Sequence, residues 1–323
     1  MRILVIGGVQ FIGRAIVERL VGRGDDVTVL HRRDDHDLGP EVRNIRADRS
    51  DLERMSQVLR AGGFEVVFDV AYDWVKGTTP EQVAAAARSC GGGLQRYVFM
   101  SSIAAYGPGL DLRESDALVA DDFPNPYAQH KAASERALFR MHAASGFPVT
   151  TFRPPFGHGP RQPFYREQVF WDRLLDRRPI ILPDGGETPI QWTSVSDLSK
   201  GCVTALDAPH AAGEAFNIAH VEPMTQRDFV EALARTAGVS PTFVSVPRAT
   251  ILAAGGQLMM TNLYFGEYLD LPPHVSIVEK APRLLGVSPT PFETAIGETF
   301  AWYTAQPRRP ADYAFEDRLL AEV

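Results

Sequence analysis

Cysteine is scarce in this chain of 323 residues. Its two cysteines, Cys90 and Cys202, are too few for a disulfide framework, and no metal-ligand spacing surrounds them. We therefore predict no metal site. Long hydrophobic runs are also missing, since the longest later one, at residues 249–260, is interrupted by two glycines. The apolar start lacks the small-residue cleavage site of a signal peptide, so we expect a cytoplasmic protein with no membrane partner.

Blocks of like charge are absent as well. The 33 basic and 40 acidic residues give a formal net charge of −7, with no run of five like charges. A basic stripe interleaved with aromatic residues is also lacking, so nucleic acid is not an expected partner. With 45% hydrophobic and 23% charged residues, the composition is that of a globular protein of one large domain or two fused ones.

What the first half does contain is an alternation of apolar runs and helical segments. β-Branched and aromatic residues cluster at residues 3–6, 27–30, 66–70 and 97–100, and each cluster precedes a stretch with helical spacing. Continuous apolar strands separated by helices indicate a parallel sheet that is covered on both faces. Because crossovers between parallel strands are right-handed, the predicted fold class is α/β with a doubly wound parallel (Rossmann) sheet.

The pattern changes near residue 156. Prolines and glycines become frequent, the apolar runs become short and scattered, and helical spacing recurs at residues 165–176, 226–236 and 292–303. These features indicate a smaller α/β lobe that is partly interleaved with the first domain. The predicted divisions are a first domain at 1–155 with 190–220 returning to it, a discontinuous second lobe at 156–305, and a surface tail at 306–323.

A glycine-containing turn follows the first predicted strand and opens a helix. Glycines permit a tight turn, and the helix N-terminus offers unpaired N–H groups and a positive dipole end to a pyrophosphate. A plain strand–turn–helix is the alternative. We predict that the first domain binds a dinucleotide and the second lobe a small-molecule substrate. The predicted cofactor residues in this turn are Gly7, Gly8, Gln10, Phe11, Ile12 and Gly13.

The end of the second strand bears on the choice of cofactor. His31 stands where an acidic residue would bind the adenosine ribose of NAD, and Arg32 and Arg33 are suited to a 2′-phosphate. A solvated charged loop is the alternative reading of these arginines. NADP is therefore favoured and NAD remains possible. Asp48, after the third strand, is placed either to accept from the adenine amino group or to serve only as a turn residue.

A candidate catalytic set follows the fourth apolar run. Ser101 and Ser102 close that strand, while Tyr127 and Lys131 stand four residues apart on one face of the next helix. A lysine ammonium beside a phenol lowers the pKa of the phenol, which makes it a usable proton donor or acceptor. A serine hydroxyl can hydrogen-bond the same substrate oxygen. The predicted catalytic residues are therefore a serine, Tyr127 and Lys131.

The order of these motifs resembles the extended short-chain dehydrogenase/reductase superfamily, which contains nucleotide-sugar epimerases and dehydratases. The resemblance covers nearly the whole chain and is strongest in the branch that includes chloroplast stem-loop RNA-binding proteins. It implies that Ser102 is the catalytic serine, that Ala71, Pro154 and Phe156 contact the cofactor, and that a homodimer is plausible. The residues that carry it are Gly7–Gly13, Ser102, Tyr106-Gly107, Tyr127, Lys131, Arg153-Pro154, Gly159-Pro160, Val195, Asp197-Leu198, 215–218 and Leu285-Gly286.

The resemblance implies hydride transfer between a nicotinamide cofactor and a carbinol or carbonyl carbon, by an epimerase or a reductase acting on a sugar or nucleotide sugar. Two departures bear on the substrate. Phe156 replaces an asparagine that serves the diphosphate in nucleotide-sugar enzymes, and Gln191-Trp192 stands where an arginine often begins the substrate-lobe motif. Substrate contacts are predicted for Ser102, Tyr127, Phe156 and Gln191. Two alternatives remain: a reductase of a non-sugar ketone or aldehyde, and an RNA-binding protein on an epimerase-like fold.

Arginines cluster at the start of the second lobe. They could hold an anionic substrate, but Arg166, Arg173 and Arg177 are spaced like one solvated helix face, which is the favoured reading.

Overall fold

The computed structural model describes residues 1–256 and 272–321. Part of the apolar run at 249–260 therefore lies outside the described residues. Within the described part, none of the helices combines the length and the apolar character that a membrane crossing requires. The strands are β1 (Arg2–Ile6), β2 (Asp26–His31), β3 (Arg43–Arg46), β4 (Val66–Asp69), β5 (Arg96–Met100), β6 (Gly109–Leu112), β7 (Val149–Phe152), β8 (Phe156–His158), β9 (Ile180–Pro183), β10 (Pro189–Ile190), β11 (Trp192–Ser194), β12 (Glu214–Phe216), β13 (Met224–Thr225), β14 (Phe243–Val246) and β15 (His274–Ser276).

The α-helices pack around these strands, and four short 3₁₀ turns connect elements in the described part of the chain. The helices are α1 (Phe11–Gly22), α2 (Leu52–Gly62), α3 (Pro80–Ser89), α4 (Pro126–Ser145), α5 (Arg166–Leu175), α6 (Val195–Thr204), α7 (Gln226–Ala237), α8 (Arg248–Ala253), α9 (Lys280–Leu285), α10 (Phe292–Thr304) and α11 (Ala314–Leu320).

A seven-stranded sheet forms the first domain, in the order β12-β7-β5-β4-β1-β2-β3. Every neighbouring pair is parallel. The four strands predicted from apolar runs are all present, and the α/β doubly wound fold class is confirmed. These strands are apolar throughout because helices cover both faces: α1 and α6 pack on one face, and α2, α3 and α4 pack on the other.

The strand order places a crevice between β1 and β4. From β1 the chain proceeds outward to β2 and β3, then returns to β4 on the other side of β1. At such a switch point the loops that leave the two neighbouring strands diverge to opposite faces of the sheet. The carboxyl ends of β1 and β4 therefore border an open crevice, the usual ligand position in this class of fold.

In its described residues, the second lobe is built on three small sheets. Their strand orders are β13-β10-β15-β6, β11-β8 and β14-β9. A separate hydrophobic core fills this lobe, and at its centre the rings of Trp192 and Phe229 stack with centroids 4.2 Å apart. The short strands β10 and β11 are separated by Gln191, whose side chain is fully buried.

The chain returns to the first domain after β11. Helix α6 packs on α1, where Arg19 Nε donates to Ser199 Oγ at 2.8 Å, and β12 then joins the edge of the large sheet beside β7. Within the segment 190–220, α6 and β12 thus contact the first domain, whereas β10 and β11 belong to the small sheets.

Two expectations about surface segments need correction. Helix α11 lies within the expected surface tail, yet Glu316 and Leu319 are both buried in it. Arg173, expected on a solvated face, is buried as well, and its Nε donates to Glu316 Oε1 at 2.7 Å. The carboxylate offsets the cost of burying the guanidinium and fixes α11 against α5.

Candidate active site

A cavity of about 890 Å³ lies at the carboxyl ends of the central strands. Its lining includes residues from the ends of five of these strands or directly after them. Of the residues predicted from the sequence, the cavity brings together Gly7, Gln10, Phe11, Ile12, Gly13, His31, Arg32, Arg33, Asp48, Ala71, Ser102, Tyr127, Lys131, Pro154 and Phe156. It does not include Gly8 or Gln191.

The turn after β1 is packed too closely for larger residues. Gly7 has a φ of +88°, and a Cβ on Gly13 would lie 2.1 Å from the Gly7 carbonyl oxygen. Gly8 faces the sheet, where a Cβ would come within 2.6 Å of Val29. The N-cap residue of α1, Gln10, makes no side-chain cap bond, so its side chain leaves the first-turn N–H groups of α1 uncapped on the cavity side. This arrangement can receive an anion such as a pyrophosphate.

The end of β2 places its three basic residues differently. His31 is buried, accepts a bond from the Arg33 N–H at Nδ1 (3.2 Å), and has its pKa lowered chiefly by burial. The Arg32 side chain is 66% exposed, and its Nη1 lies 3.3 Å from Asp73 Oδ2. Asp48 accepts bonds from the Ser50 N–H and hydroxyl, which lower the pKa of its carboxyl. Arg32 and Arg33 both line the cavity, and the exposed Arg32 guanidinium can exchange Asp73 for another anionic partner.

A buried ion pair beside the cavity was not anticipated. Arg49 pairs with Asp69 at the end of β4, and Tyr97 donates to Asp69 Oδ2 at 2.7 Å. Arg49 also lines the cavity. The sequence offered one signal for Arg49, its position directly after Asp48. An isolated arginine, however, has no pattern that distinguishes a buried position from a surface one.

Tyr127 and Lys131 lie on the first turns of α4. The side chain of Asn125 begins this helix by accepting from the N–H groups of Tyr127 and Ala128 at 3.0 and 3.3 Å. Lys131 is only 4% exposed; its Nζ donates to the Met100 carbonyl at 2.6 Å and lies 5.7 Å from the centre of the Tyr127 ring. Burial lowers the pKa of Lys131 to about 7, although the nearby carboxylate of Asp69 opposes this change. Proton exchange near neutral pH is thus available to this amine.

The two serines at the end of β5 have different partners. The Ser101 hydroxyl donates to Glu135, and Arg153 binds the same carboxylate, with Nη2 2.7 Å from Oε2. The Ser102 hydroxyl accepts only a local bond from the Ala104 N–H at 3.2 Å and lines the cavity. The Ser101 hydroxyl proton is therefore committed to Glu135, whereas the Ser102 hydroxyl can donate to a ligand in the cavity. The choice of Ser102 as the catalytic serine stays a prediction.

Aromatic side chains surround Tyr127, and sequence reasoning missed them. The indole of Trp74 stacks on the Tyr127 ring with centroids 5.0 Å apart and an interplanar angle of 23°, and Tyr72 meets that ring edge-on at 4.8 Å. Phe164 contacts Trp74 edge-on at 5.5 Å. The Tyr72 hydroxyl lies 3.1 Å from His130 Nδ1, and burial raises the pKa of Tyr72 to about 12. Isolated aromatics in loops have no periodic pattern, so nothing in the sequence separates them from core residues.

The structure does not bring Gln191 to the predicted substrate site. Its side chain is fully buried, where Nε2 donates to the carbonyls of His220 and Ser276 at 2.9 and 3.0 Å. Its Oε1 accepts from the N–H and hydroxyl of Ser276, each at 2.9 Å. Gln191 therefore ties β15 to the segment that follows β12, and the expectation that it contacts substrate is corrected. Phe156, by contrast, does line the cavity.

Comparison with known proteins identifies relatives of this chain. The family described as "NAD dependent epimerase/dehydratase family" matches residues 3–219. The chain is 26% identical to the chloroplast stem-loop binding protein of 41 kDa b of Arabidopsis thaliana, over 99% of this chain and 84% of that protein. It is 28% identical to the 2-alkyl-3-oxoalkanoate reductase of Stenotrophomonas maltophilia, over 74% of this chain and 76% of that protein.

Solved structures show the same fold at lower identity. UDP-glucuronic acid 4-epimerase from Bacillus cereus, solved in complex with NAD, superposes with a TM-score of 0.74 at 19% identity. The superposition covers 94% of this chain and 99% of that chain.

Proposed function

The chain belongs to the NAD dependent epimerase/dehydratase family, and from that premise we propose that it is an NADP(H)-dependent oxidoreductase that interconverts a carbonyl compound and its alcohol. One observation carries the proposal: Ser102, Tyr127 and Lys131 line the same cavity as the glycine turn after β1. A proton donor and a dinucleotide-binding turn in one cavity are the two parts that hydride transfer to a carbonyl requires.

The residues present fit a dinucleotide. The space beside Gly7 and Gly13 would be filled by any Cβ, and the first turn of α1 lacks a side-chain cap from Gln10. We assign the pyrophosphate to this turn, with Gln10, Phe11 and Ile12 around it. Asp48 would accept from the adenine amino group. The nicotinamide end would lie among Ala71, Pro154 and Phe156, which line the cavity between the turn and Tyr127.

The proposed chemistry assigns one task to each catalytic side chain. When bound, the reduced nicotinamide supplies a hydride to the carbonyl carbon. Tyr127 donates its phenolic proton to the carbonyl oxygen, so the product alcohol gains one hydride and one proton. Lys131 holds the cofactor ribose, and its positive charge favours the phenolate that remains. Ser102 donates a hydrogen bond to the same oxygen and orients it. The reverse reaction uses the same groups in the opposite direction.

The preference for NADP(H) rests on Arg32. Its guanidinium lies 3.3 Å from Asp73 at a largely exposed position, where an ion pair contributes at most about 1 kcal/mol. A 2′-phosphate would offer the guanidinium a doubly charged partner with geometry suited to two parallel bonds. His31 brings no carboxylate that would repel that phosphate.

Epimerisation is the second candidate within the same chemistry. The family description names epimerases, and the Bacillus cereus structure of the same fold is an epimerase. An epimerase returns the hydride to the other face of a rotated ketone and retains its cofactor, whereas a reductase releases it. The nucleotide that copurifies with the protein distinguishes them: tightly held oxidised cofactor favours epimerisation, and an empty site that fills with NADPH favours reduction.

RNA binding is the candidate from a different class. It is suggested by the name of the Arabidopsis thaliana relative, and the net charge of −7 weighs against it. A mobility shift on RNA at physiological salt, set beside NADPH fluorescence quenching on the same preparation, separates the two functions.

The test of the proposed function is Tyr127→Phe. We expect kcat for NADPH-dependent reduction of a panel of aldehydes and ketones to fall by at least about 100-fold, because the proton donor is removed. NADPH affinity, measured by fluorescence titration, should stay nearly unchanged. The matched control is Tyr313→Phe, because Tyr313 is not among the residues that line the cavity. Half of the wild-type turnover in Tyr127→Phe, or no binding of any nicotinamide nucleotide, would contradict the proposal.

A further inference from the structure

The side chain of Trp74 is 55% exposed, which is unusual for the largest apolar ring. One part of the indole stacks on Tyr127, and the ring lines the same cavity as the catalytic set. Tyr72 and Phe164 meet the indole edge-on at 5.0 and 5.5 Å, and the surface that these three rings leave uncovered is exposed. An exposed apolar surface inside a concave site is a common mark of ligand binding, because covering it releases water from both surfaces.

The loop that carries Trp74 is held by its own hydrogen bonds. Asp73 Oδ1 accepts from the N–H groups of Val75 and Lys76 at 2.9 and 3.0 Å. The Asp73 N–H donates to Thr78 Oγ1 at 3.0 Å, and its carbonyl accepts from the Gly77 N–H at 2.8 Å. These bonds fix the backbone on both sides of the indole. Trp74 therefore presents a preorganised surface, and a ligand that packs on it has little ordering entropy to overcome.

The cavity lining next to Trp74 is aromatic as well. Phe164, from the segment before α5, reaches Trp74 from the second lobe. Phe156 also lines the cavity, at a position where a carboxamide would have offered hydrogen bonds to a polar ligand. Among the described lining residues that the second lobe contributes, the polar side chains are cationic or imidazole, and none is a carboxylate or carboxamide. The hydroxyls of a sugar ring need such acceptors, and a flat hydrocarbon ring does not.

We propose that the substrate is a ketone or aldehyde carried on a flat aromatic ring, and that this ring packs against Trp74 and Phe164 while its carbonyl reaches Tyr127 and Ser102. This inference rests on the proposed function and names its substrate class. It separates the roles of neighbouring residues: Tyr127 moves the proton, and Trp74 determines which carbonyl compounds arrive in position to receive it.

The experiment uses two methyl ketones that differ in the saturation of one ring, acetophenone and cyclohexyl methyl ketone. NADPH oxidation is followed for wild type, Trp74→Ala and Trp74→Phe. The matched control is Val75→Ala, since Val75 is the 93% exposed neighbour in the same loop and is not among the cavity-lining residues. Comparing each ketone with itself across the variants removes the difference in their intrinsic reactivity.

We expect Trp74→Ala to lower kcat/KM for acetophenone by about 10-fold, mainly through KM, because an aromatic stacking partner contributes about 0.5–1.5 kcal/mol beyond the area it buries. The loss for cyclohexyl methyl ketone should be clearly smaller. Trp74→Phe should keep most of the acetophenone activity, and Val75→Ala should change neither ketone. NADPH affinity should be the same in all four proteins.

Several results would overturn this inference. Equal losses of kcat/KM for the two ketones would mean that Trp74 contacts substrates without a preference for flat rings. A fall in NADPH affinity would mean that the indole contacts the nicotinamide. Preferential binding or turnover of UDP-glucose by the cofactor complex would identify a nucleotide sugar. Failure of both ketones to bind the NADP⁺ complex in calorimetry would also reject the class. The proposed function is tested separately, because NADPH binding and the Tyr127→Phe experiment do not depend on which carbonyl compound fits.

Discussion

Replacing Lys131 with methionine should make the cofactor-free protein more stable at neutral pH. Lys131 is buried, and its pKa falls from its ordinary value of 10.5 to about 7. Between these two pH values the unfolded chain binds a proton at this position and the folded chain does not. The free energy of unfolding therefore rises with pH across that window, and below about pH 7 the wild type carries the full cost of burying the charge.

The size of the effect follows from opposing contributions. At 1.36 kcal/mol per pKa unit, a fall from 10.5 to about 7 corresponds to about 5 kcal/mol at most. Methionine loses the bond from Nζ to the Met100 carbonyl, which contributes about 1 kcal/mol. It also loses the cation–π contacts of Nζ with the rings of Tyr72 and Phe99, at 5.2 and 5.1 Å. The net expectation is a gain of about 1–4 kcal/mol below pH 7 that disappears as the pH approaches 10.5.

The assay is urea unfolding of the cofactor-free proteins at several pH values on both sides of neutrality, followed by circular dichroism. Lys200→Met is the control, because Lys200 is exposed on α6 and its ammonium is not buried on folding. The same Lys131→Met protein should lose NADPH affinity and activity, since in the function proposed above the ammonium serves ribose and phenol together. A Lys131→Met protein that is less stable than wild type below neutrality, or whose stability difference from wild type does not vary with pH, would refute this reasoning.

Two further predictions concern the cofactor site. Wild type should bind NADPH at least several-fold more tightly than NADH in calorimetry, with about 10-fold expected for one charge-assisted pair. Arg32→Ala should remove most of that difference; equal binding of both cofactors by wild type would mean that the arginine faces solvent. Gly13→Ala should abolish NADPH binding and lower the Tm, because its Cβ would lie 2.1 Å from the Gly7 carbonyl oxygen. Gly22→Ala in the same helix meets nothing within 4 Å and should leave binding unchanged; similar NADPH affinities for the two alanine variants would contradict the packing argument.

The first domain was predictable because its signals are local. Each of the strands recognised in the large sheet is a continuous apolar run. Such a run indicates that the strand is buried on both faces, whichever elements cover it. The motif order gave the family resemblance, which the family match over residues 3–219 confirms. The glycine turn and the Tyr127–Lys131 spacing likewise depend on a few neighbouring residues.

The second lobe was less predictable because its contacts join distant parts of the chain. Arg173 reads as one of several helix-surface arginines, and only the fold reveals Glu316, 143 residues later, as its partner. The polar side chain of Gln191 is of a type that often contacts substrates, but its partner in β15, Ser276, is 85 residues away in the sequence. Trp74 belongs to no periodic pattern at all. Spacing along a sequence identifies faces of helices and strands, and it carries no information on which faces meet.

The position of β12 has a consequence for biosynthesis and for engineering. This edge strand is made only after β8 to β11 of the second lobe, so a growing chain must hold β7 with an unpaired edge until residue 216 has emerged. An open parallel edge of this kind invites pairing with other chains, and a fragment that stops at residue 155 would keep it permanently. Exchange of the second lobe with that of a relative would for the same reason need more than one junction, so that α6 and β12 stay with the sheet they complete.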